Sequence, residues 1–291
     1  MKMSAVLPAA RERRAGQWRA RLRGNGLTIA ASAFLVCLVL VAILAPLLTS
    51  ADPILINAVN RLKPPSAQFW FGADTMGRDL FARVVYGART SLVVGVVAAG
   101  ASLLLGLVIG LVCGYFPIVD SVLMRVMDGI MSIPSIVFAV ALVAITGANL
   151  VTVLLAIVLP EFPRVVRLVR GLILSLRNEA YVEAAVSLAT PAWRILLGHM
   201  LPNTLAPLIV QGSFILASAI LTEAVMSFLG VGLPPEVPSW GNIIADGRSY
   251  FQLRPGLVFF PGIPLALTVL AINLIGDALR DALDPKLARR G

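Results

Sequence analysis

Long runs of apolar residues without a single charge alternate with shorter charged stretches along this chain of 291 residues. A helix needs about 20 apolar residues to cross a hydrocarbon core about 30 Å thick. Four runs have that length, and a fifth, from 129 to 160, is interrupted by the polar turn 146–149 and predicts two more helices. The six predicted transmembrane helices lie at 27–48, at 91–116, on either side of the turn 146–149, at 205–229 and at 257–275.

Composition agrees with a protein that crosses a membrane several times. Hydrophobic residues make up 58% of the chain and charged residues 13%, and the mean hydropathy is +0.90. Soluble domains are about half apolar and about a quarter charged. Cys37 and Cys113 both fall within apolar runs, which argues against a disulfide or a metal site. The predicted fold class is therefore an all-α membrane protein.

Basic residues are distributed unequally between the two sides of the predicted membrane. With the N-terminus in the cytoplasm, the inner segments hold seventeen Lys and Arg residues and the outer segments hold seven. This asymmetry predicts that both termini are cytoplasmic, and it explains the net charge of +9 without nucleic acid. The predicted organisation is a basic cytoplasmic segment 1–26, a first transmembrane helix 27–48, an extracytoplasmic segment 49–90, a five-helix core 91–279 that includes a cytoplasmic loop 171–204, and a cytoplasmic tail 280–291.

The sequence contains no recognisable catalytic motif. No G-x-x-x-x-G-K-[ST] phosphate-binding loop occurs, so we do not expect this chain to bind or hydrolyse ATP. No group of Cys and His has the spacing of a metal site, and His199, the only histidine, has no neighbour of ligand type. We therefore expect a protein without catalytic residues, metal ligands or a bound cofactor of its own.

Small residues recur every four positions in the second predicted span. Gly106, Gly110 and Gly114, with Ser102 before them, fall on one helical face. Such a face lets a neighbouring helix approach closely in lipid, where burial of apolar surface gives little drive for association. The stripe therefore predicts a close helix–helix contact.

A patterned loop, 164–207, separates the fourth and fifth predicted spans and is too long for a simple connection. A second helical stretch follows Thr190-Pro191 and is predicted to end at Pro202. The pattern predicts two short helices that meet at an angle. They form either a compact projection into the cytoplasm or a pair that rests on the lipid surface. The apolar positions at helical spacing in the first half are Val182, Ala185, Val186 and Ala189.

Part of this loop resembles the EAA loop of ABC importer permeases. In that family the loop docks on a separate ATPase subunit, so the resemblance implies that ATP and Mg²⁺ are used by a partner. The family has glycine at the position of Ala189, where alanine adopts a left-handed turn only with strain. Thr190-Pro191 is the alternative means of shaping the corner. The residues that carry the resemblance are Glu183, Ala184, Ala185, Ala189, Ile195 and Pro202.

Further segments, in order along the chain, narrow the resemblance. Together they span most of 27–287 and are similar to the C-type permease subunit of dipeptide and oligopeptide importers. The family implies a type I ABC importer permease fold in the cell membrane. It also implies a second homologous permease subunit, one or two ABC ATPase subunits, an extracytoplasmic substrate-binding protein and the lipid bilayer as partners. The matching segments are 71–92, 132–134, 168–171, 223–230, 238–241, 260–262 and 276–285.

Two sets of polar residues are candidates for a specific role. Glu223 lies within the fifth predicted span, where an ionisable residue usually faces a cavity or a partner. We expect either a pathway or gate role for it or a hydrogen bond to a neighbouring helix. Asp74, Arg78 and Asp79 lie in the outer segment, where we expect a stabilising network rather than contact with cargo.

The predicted function is that of a permease subunit in an ATP-driven peptide importer, with this chain forming half of the translocation pathway. Nickel chelates or glutathione are alternative cargoes within the same family, and no residue distinguishes them. Hydropathy alone leaves two other classes open: a secondary transporter that works without a motor, and a structural subunit of a membrane complex.

Overall fold

A computed structural model describes residues 26–283, and the regular elements in that stretch are all helical. Most of the predicted basic segment 1–26 and part of the predicted tail 280–291 lie outside the described residues. A π-helical turn lies at Leu196–Met200, and single 3₁₀ turns lie at Ala58–Asn60 and Arg248–Tyr250. The helices are α1 (Gly26–Ile43), α2 (Ala45–Leu48), α3 (Leu80–Tyr115), α4 (Pro117–Met131), α5 (Ser135–Thr146), α6 (Leu150–Leu176), α7 (Ala180–Ser187), α8 (Ala192–Ile195), α9 (Leu201–Phe228), α10 (Trp240–Gly247) and α11 (Gly256–Leu283).

Four stretches of helix are long and apolar enough to cross a membrane: α1, α3, the continuous run from α8 to α9, and α11. A fifth crossing is possible if α4 and α5, which meet at an angle of 85°, count as one broken span. Helix α6 is not among these because it carries Glu161, Arg164 and Arg167. The described part of the chain is thus an all-helical membrane protein with four or five candidate spans.

Several helix boundaries differ from those expected from hydropathy. Helix α6 continues to Leu176 and α9 begins at Leu201, so the predicted loop 164–207 is shorter at both ends. Helix α3 begins at Leu80 rather than Ser91, because the Asp79 carboxylate accepts a hydrogen bond from the Ala82 amide and caps the helix. The apolar run that starts at 129 does not form one helix, since the chain bends between α4 and α5 just before Pro134. The uncharged runs therefore indicated where the apolar segments lie but did not indicate where each helix starts.

Helices α3 and α6 are in direct backbone-to-side-chain contact along the predicted glycine stripe. A methyl group added to Gly106, Gly110 or Gly114 would lie 2.3 to 2.6 Å from a Cβ atom of α6. These separations are far below van der Waals contact, so only glycine fits. The facing residues of α6 are Val165, Val169 and Ile173, all with no exposed surface.

The bundle has two distinct ends. At the α7 end, Val182 and Ile195 bury their side chains against Ile173 of α6 in one apolar cluster. At the α10 end, Trp240 packs against the start of α3, and its indole N–H donates to the Val84 carbonyl at 3.1 Å. Helix α6 starts at the α10 end and runs toward α7, so it connects the two.

The glycine stripe generates a stability prediction. Gly110→Val adds side-chain atoms that overlap with Val169. This overpacking should lower the free energy of unfolding by about 1–3 kcal/mol. Gly100→Val is the matched control on the same helix, because a Cβ there meets nothing within 4 Å. Thermal unfolding of the two variants in mild detergent compares them. Equal losses for both would show that α3 and α6 are not in close contact.

Candidate functional site

Helices α7 and α8 bury one apolar side and expose the other, which carries both polar and apolar residues. Val182, Ala185 and Ile195 pack into the cluster shared with α6 and α9. Glu183 and Ala184 lie between them on the exposed side of α7. Glu183 is in the first turn, where a carboxylate interacts favourably with the helix dipole. The candidate residues of the 180–200 segment therefore divide into a buried anchor and an exposed face.

The corner after α7 is built around Ala189 in a left-handed conformation, with φ of +51°. The Thr190 amide donates to the Ala185 carbonyl at 3.1 Å, and the Ala189 amide donates to the Val186 carbonyl at 2.9 Å. These two bonds are the Schellman arrangement, which usually has glycine at the left-handed position. Ala189 itself adopts the expected left-handed turn and carries its strain. Pro191 directly precedes the next helix.

Pro202 does not end the second helical stretch as predicted. It lies in the first turn of α9, and the chain passes from α8 through the π-helical turn into α9 without leaving the helical conformation. Proline has no amide hydrogen and so interrupts the helical hydrogen-bond pattern, and the π-helical turn lies just before it. Because the chain stays helical, the 180–200 segment is joined directly to a membrane helix.

Glu223 is fully buried near the end of α9 and links two elements. Its Oε1 atom accepts hydrogen bonds from the hydroxyls of Ser227 and Ser239, each at 2.8 Å. Ser239 also caps α10, because its hydroxyl oxygen accepts from the Asn242 amide at 3.1 Å. The Oε2 atom is buried and has no hydrogen-bond partner among the described residues. In this conformation the carboxyl group fastens α10 to α9.

The predicted outer network contains a buried cluster of four charges. Asp74 binds the Arg78 guanidinium at 2.6 Å, and Arg78 reaches Asp246 of α10 at 2.9 Å. Arg83, with no exposed surface, lies 3.5 Å from both carboxylates. Burial raises the pKa of the Asp246 carboxyl above its usual value, and the two guanidinium groups offset part of that rise.

The sequence identified only part of this cluster. Asp74 and Arg78 are joined, whereas Asp79 caps α3 and takes no part in an ion pair within the described residues. Arg83 and Asp246 were missed as members. Arg83 is one helical turn from Asp79, but Asp246 is distant in the sequence, and no local pattern marks it as a partner.

A second group of charges, also missed, lies along α6. Arg167 binds Asp128 of α4 at 2.5 Å, and Arg170 binds both carboxylate oxygens of Asp120. Glu161 pairs instead with Arg164 of its own helix at 2.9 Å. Glu161 and the three arginines lie on one helix, continuous from Leu150 to Leu176, whereas Asp120 and Asp128 lie on α4. The first two pairs hold α4 against α6.

Comparisons with known proteins identify the family. Residues 103–289 match the family model described as binding-protein-dependent transport system inner membrane component. Residues 15–65 match a second model, the N-terminal TM domain of oligopeptide transport permease C.

Two curated relatives are similar over most of their length. A probable peptide ABC transporter permease of Sinorhizobium fredii is 48% identical over 86% of this chain and 86% of its own. A dipeptide transport system permease, DppC, of Alkalihalophilus pseudofirmus is 44% identical over 92% of this chain and 88% of its own.

A solved structure shares the fold. A chain of the inward-facing methionine ABC transporter MetNI superposes with a TM-score of 0.57 at 20% sequence identity. The match covers 70% of this chain and 98% of that one.

The strained corner predicts that glycine substitutions at two positions have opposite effects on the stability of the 180–200 segment. Ala189→Gly removes the left-handed strain and should stabilise the 180–200 segment by about 1 kcal/mol. Ala184→Gly, in the middle of α7, should destabilise it by a similar amount, about 1 kcal/mol. Hydrogen exchange of the Thr190 amide, bonded to Ala185, reports both effects. A loss of protection in Ala189→Gly would contradict the account of the corner.

Proposed function

This chain belongs to the family of binding-protein-dependent transport system inner membrane components, and on that basis we propose that it forms one half of the pathway of an ATP-driven peptide importer. It is a multi-pass inner-membrane permease subunit and is not itself an enzyme. Partners in such systems include an ATPase and a substrate-binding protein. Family membership sets aside the alternatives of a motor-independent transporter and a purely structural subunit.

Peptides are the proposed cargo. The relatives from Sinorhizobium fredii and Alkalihalophilus pseudofirmus are named for peptide and dipeptide transport, and each aligns with most of this chain. Nickel chelates and glutathione stay the alternatives within the family, and uptake of labelled compounds distinguishes them.

The proposed membrane topology has six crossings with both termini in the cytoplasm. Four crossings follow from hydropathy, and two more are needed. Helix α6 supplies one of these two, because its charges are paired with residues of α4 or of α6 itself. Helix α5, at 12 residues, is about 18 Å long and too short to cross alone. The adjoining α4 completes that crossing. The α7 end then faces the cytoplasm, in agreement with the positive-inside rule.

The 180–200 segment is the proposed docking surface for the ATPase. Glu183 and Ala184 are exposed, while Val182 and Ile195 fix the segment to α6 and α9. A load applied to the exposed face would therefore be transmitted to two membrane helices. One or two ATPase subunits would bind and use ATP and Mg²⁺, and this chain would supply neither.

A second permease subunit is the proposed partner along α5. Ile136, Val137 and Val140 are exposed on this helix, and a homologous chain packed there would complete the pathway. At the α10 end, Glu223 and the Asp74–Arg78 cluster are proposed to hold the outer surface in shape for a binding protein. Their burial favours this fastening role over direct contact with cargo.

A charge reversal tests the docking surface. In the complete transporter, Glu183→Lys should lower binding-protein-stimulated ATPase activity and peptide uptake at least about tenfold, because it changes the surface that couples the two subunits. Asp281→Lys is the matched control: it makes the same charge change at the end of α11, on an exposed residue outside the segment.

Both variants should retain the wild-type Tm, because both side chains are exposed. Normal stimulation in Glu183→Lys, or equal losses in the two variants, would remove Glu183 from the coupling surface.

A further inference from the structure

In the proposed topology, Glu161 and Arg164 fall within the hydrocarbon core, on a continuous helix. At 1.5 Å per residue, they are about 16 Å and about 21 Å from the start of α6. Val153 and Ala156, in the first two turns of α6, belong to the same apolar cluster as Met226 near the end of α9, so the start of α6 and the end of α9 lie toward the same end of the bundle. Because the hydrocarbon core is about 30 Å thick, both charges are placed deep within it.

These two side chains are not suited to contact with lipid. The Arg164 side chain is 56% exposed and that of Glu161 is 13% exposed. Ionisable residues at this depth face a water-filled cavity or a polar partner, since exposure to hydrocarbon is strongly unfavourable. The exposed face of α6 at this level therefore borders water or another polar group.

The Glu161–Arg164 pair contributes little to the fold. Arg167 and Arg170 each bind a carboxylate of α4 and so join two helices. Glu161 and Arg164 are three residues apart on one helix, and their hydrogen bond to another helix in the described part of the chain is a long one, 3.5 Å, from the Ser218 hydroxyl of α9 to Glu161. Pairs of that kind stabilise a helix by only a few tenths of a kcal/mol. A structural role does not account for placing two charges at mid-membrane.

Other hydrogen-bonding groups converge on the same level. The Ser218 hydroxyl of α9 lies 3.5 Å from Glu161 Oε1. Pro160 and Pro163 have no amide hydrogen, so the carbonyls of Ala156 and Leu159 lose their usual helical donor. The neighbourhood of Glu161 is thus rich in acceptors, and Arg164 is the adjacent donor.

We propose that Glu161 and Arg164 form a transit site for the charged ends of a peptide: Glu161 binds the amino terminus and Arg164 binds the carboxylate. This inference rests on the proposed peptide cargo. When the peptide binds, the Glu161–Arg164 ion pair breaks and two similar ion pairs form with the peptide ends. The cost of breaking the first pair keeps binding weak enough to permit release. A site within a conducting pathway needs that property.

The test uses the complete transporter in proteoliposomes. Uptake of a free peptide is compared with uptake of its N-acetylated and C-amidated forms, in wild type, Glu161→Gln and Arg164→Gln. Glu161→Gln should reduce uptake of the free and C-amidated peptides about tenfold, because a charged hydrogen bond is lost, and should change N-acetylated peptide little. Arg164→Gln should reduce uptake of the free and N-acetylated peptides and should change uptake of the C-amidated peptide little.

Arg125→Gln is the matched control, because Arg125 is exposed on α4 and forms no ion pair within the residues the structure describes. It should leave all three uptake rates unchanged. A free peptide with a photoreactive amino-terminal residue gives a second measurement that does not depend on delivery of blocked peptides. Its cross-links should map to α6 around Glu161 and to α9 around Ser218.

The outcomes separate the two proposals. Failure of the wild-type transporter to take up any peptide overturns the proposed function. Wild-type uptake with equal losses for all three peptides in the variants, or with no loss, overturns only the transit site. Cross-links confined to other helices also overturn only the transit site. Loss of the second permease subunit on purification of either variant would place the pair at a subunit contact and also overturn the transit site.

Discussion

Close approach of α3 and α6 is the contact on which the rest of the structure depends. In lipid, apolar side chains gain little by leaving one apolar surface for another, so helices associate through packing at short range. Gly106, Gly110 and Gly114 allow that packing against side chains that would otherwise collide. Because α6 then leads directly into the 180–200 segment, this contact also sets the position of the exposed Glu183.

At the α10 end, buried charged groups join one element to another. Arg78 and Arg83 share two carboxylates and connect α3 to α10. Glu223 is held by two serine hydroxyls and connects α9 to α10. Removing one partner from a buried ion pair is strongly unfavourable, so these contacts keep the α10 end in a fixed arrangement.

The sequence predicted the helical class and the glycine contact, because each depends on local pattern. Apolar length locates a helix in lipid, and a four-residue repeat identifies one face of it. Position 189 was also informative: the family's glycine indicated a left-handed turn, and Ala189 adopts it. Other features depend on contacts distant in sequence. Asp246 becomes a partner of Arg78 only when α10 folds back on α3. The loop was predicted to begin at Arg164, whereas α6 continues to Leu176 because Arg167 and Arg170 find carboxylate partners on α4, which is distant in sequence.

The central claim is that α6 and the 180–200 segment move as one body when the ATPase acts. The most direct test is the distance between spin labels at Val151, exposed at the start of α6, and Leu188, exposed beside the corner. It is measured in an active complex with Cys37 and Cys113 replaced, without nucleotide and with the ATPase trapped in its closed state. The account predicts an unchanged Val151–Leu188 distance together with a changed distance from Leu188 to the second permease subunit. A shift in the Val151–Leu188 distance between the two states would contradict it.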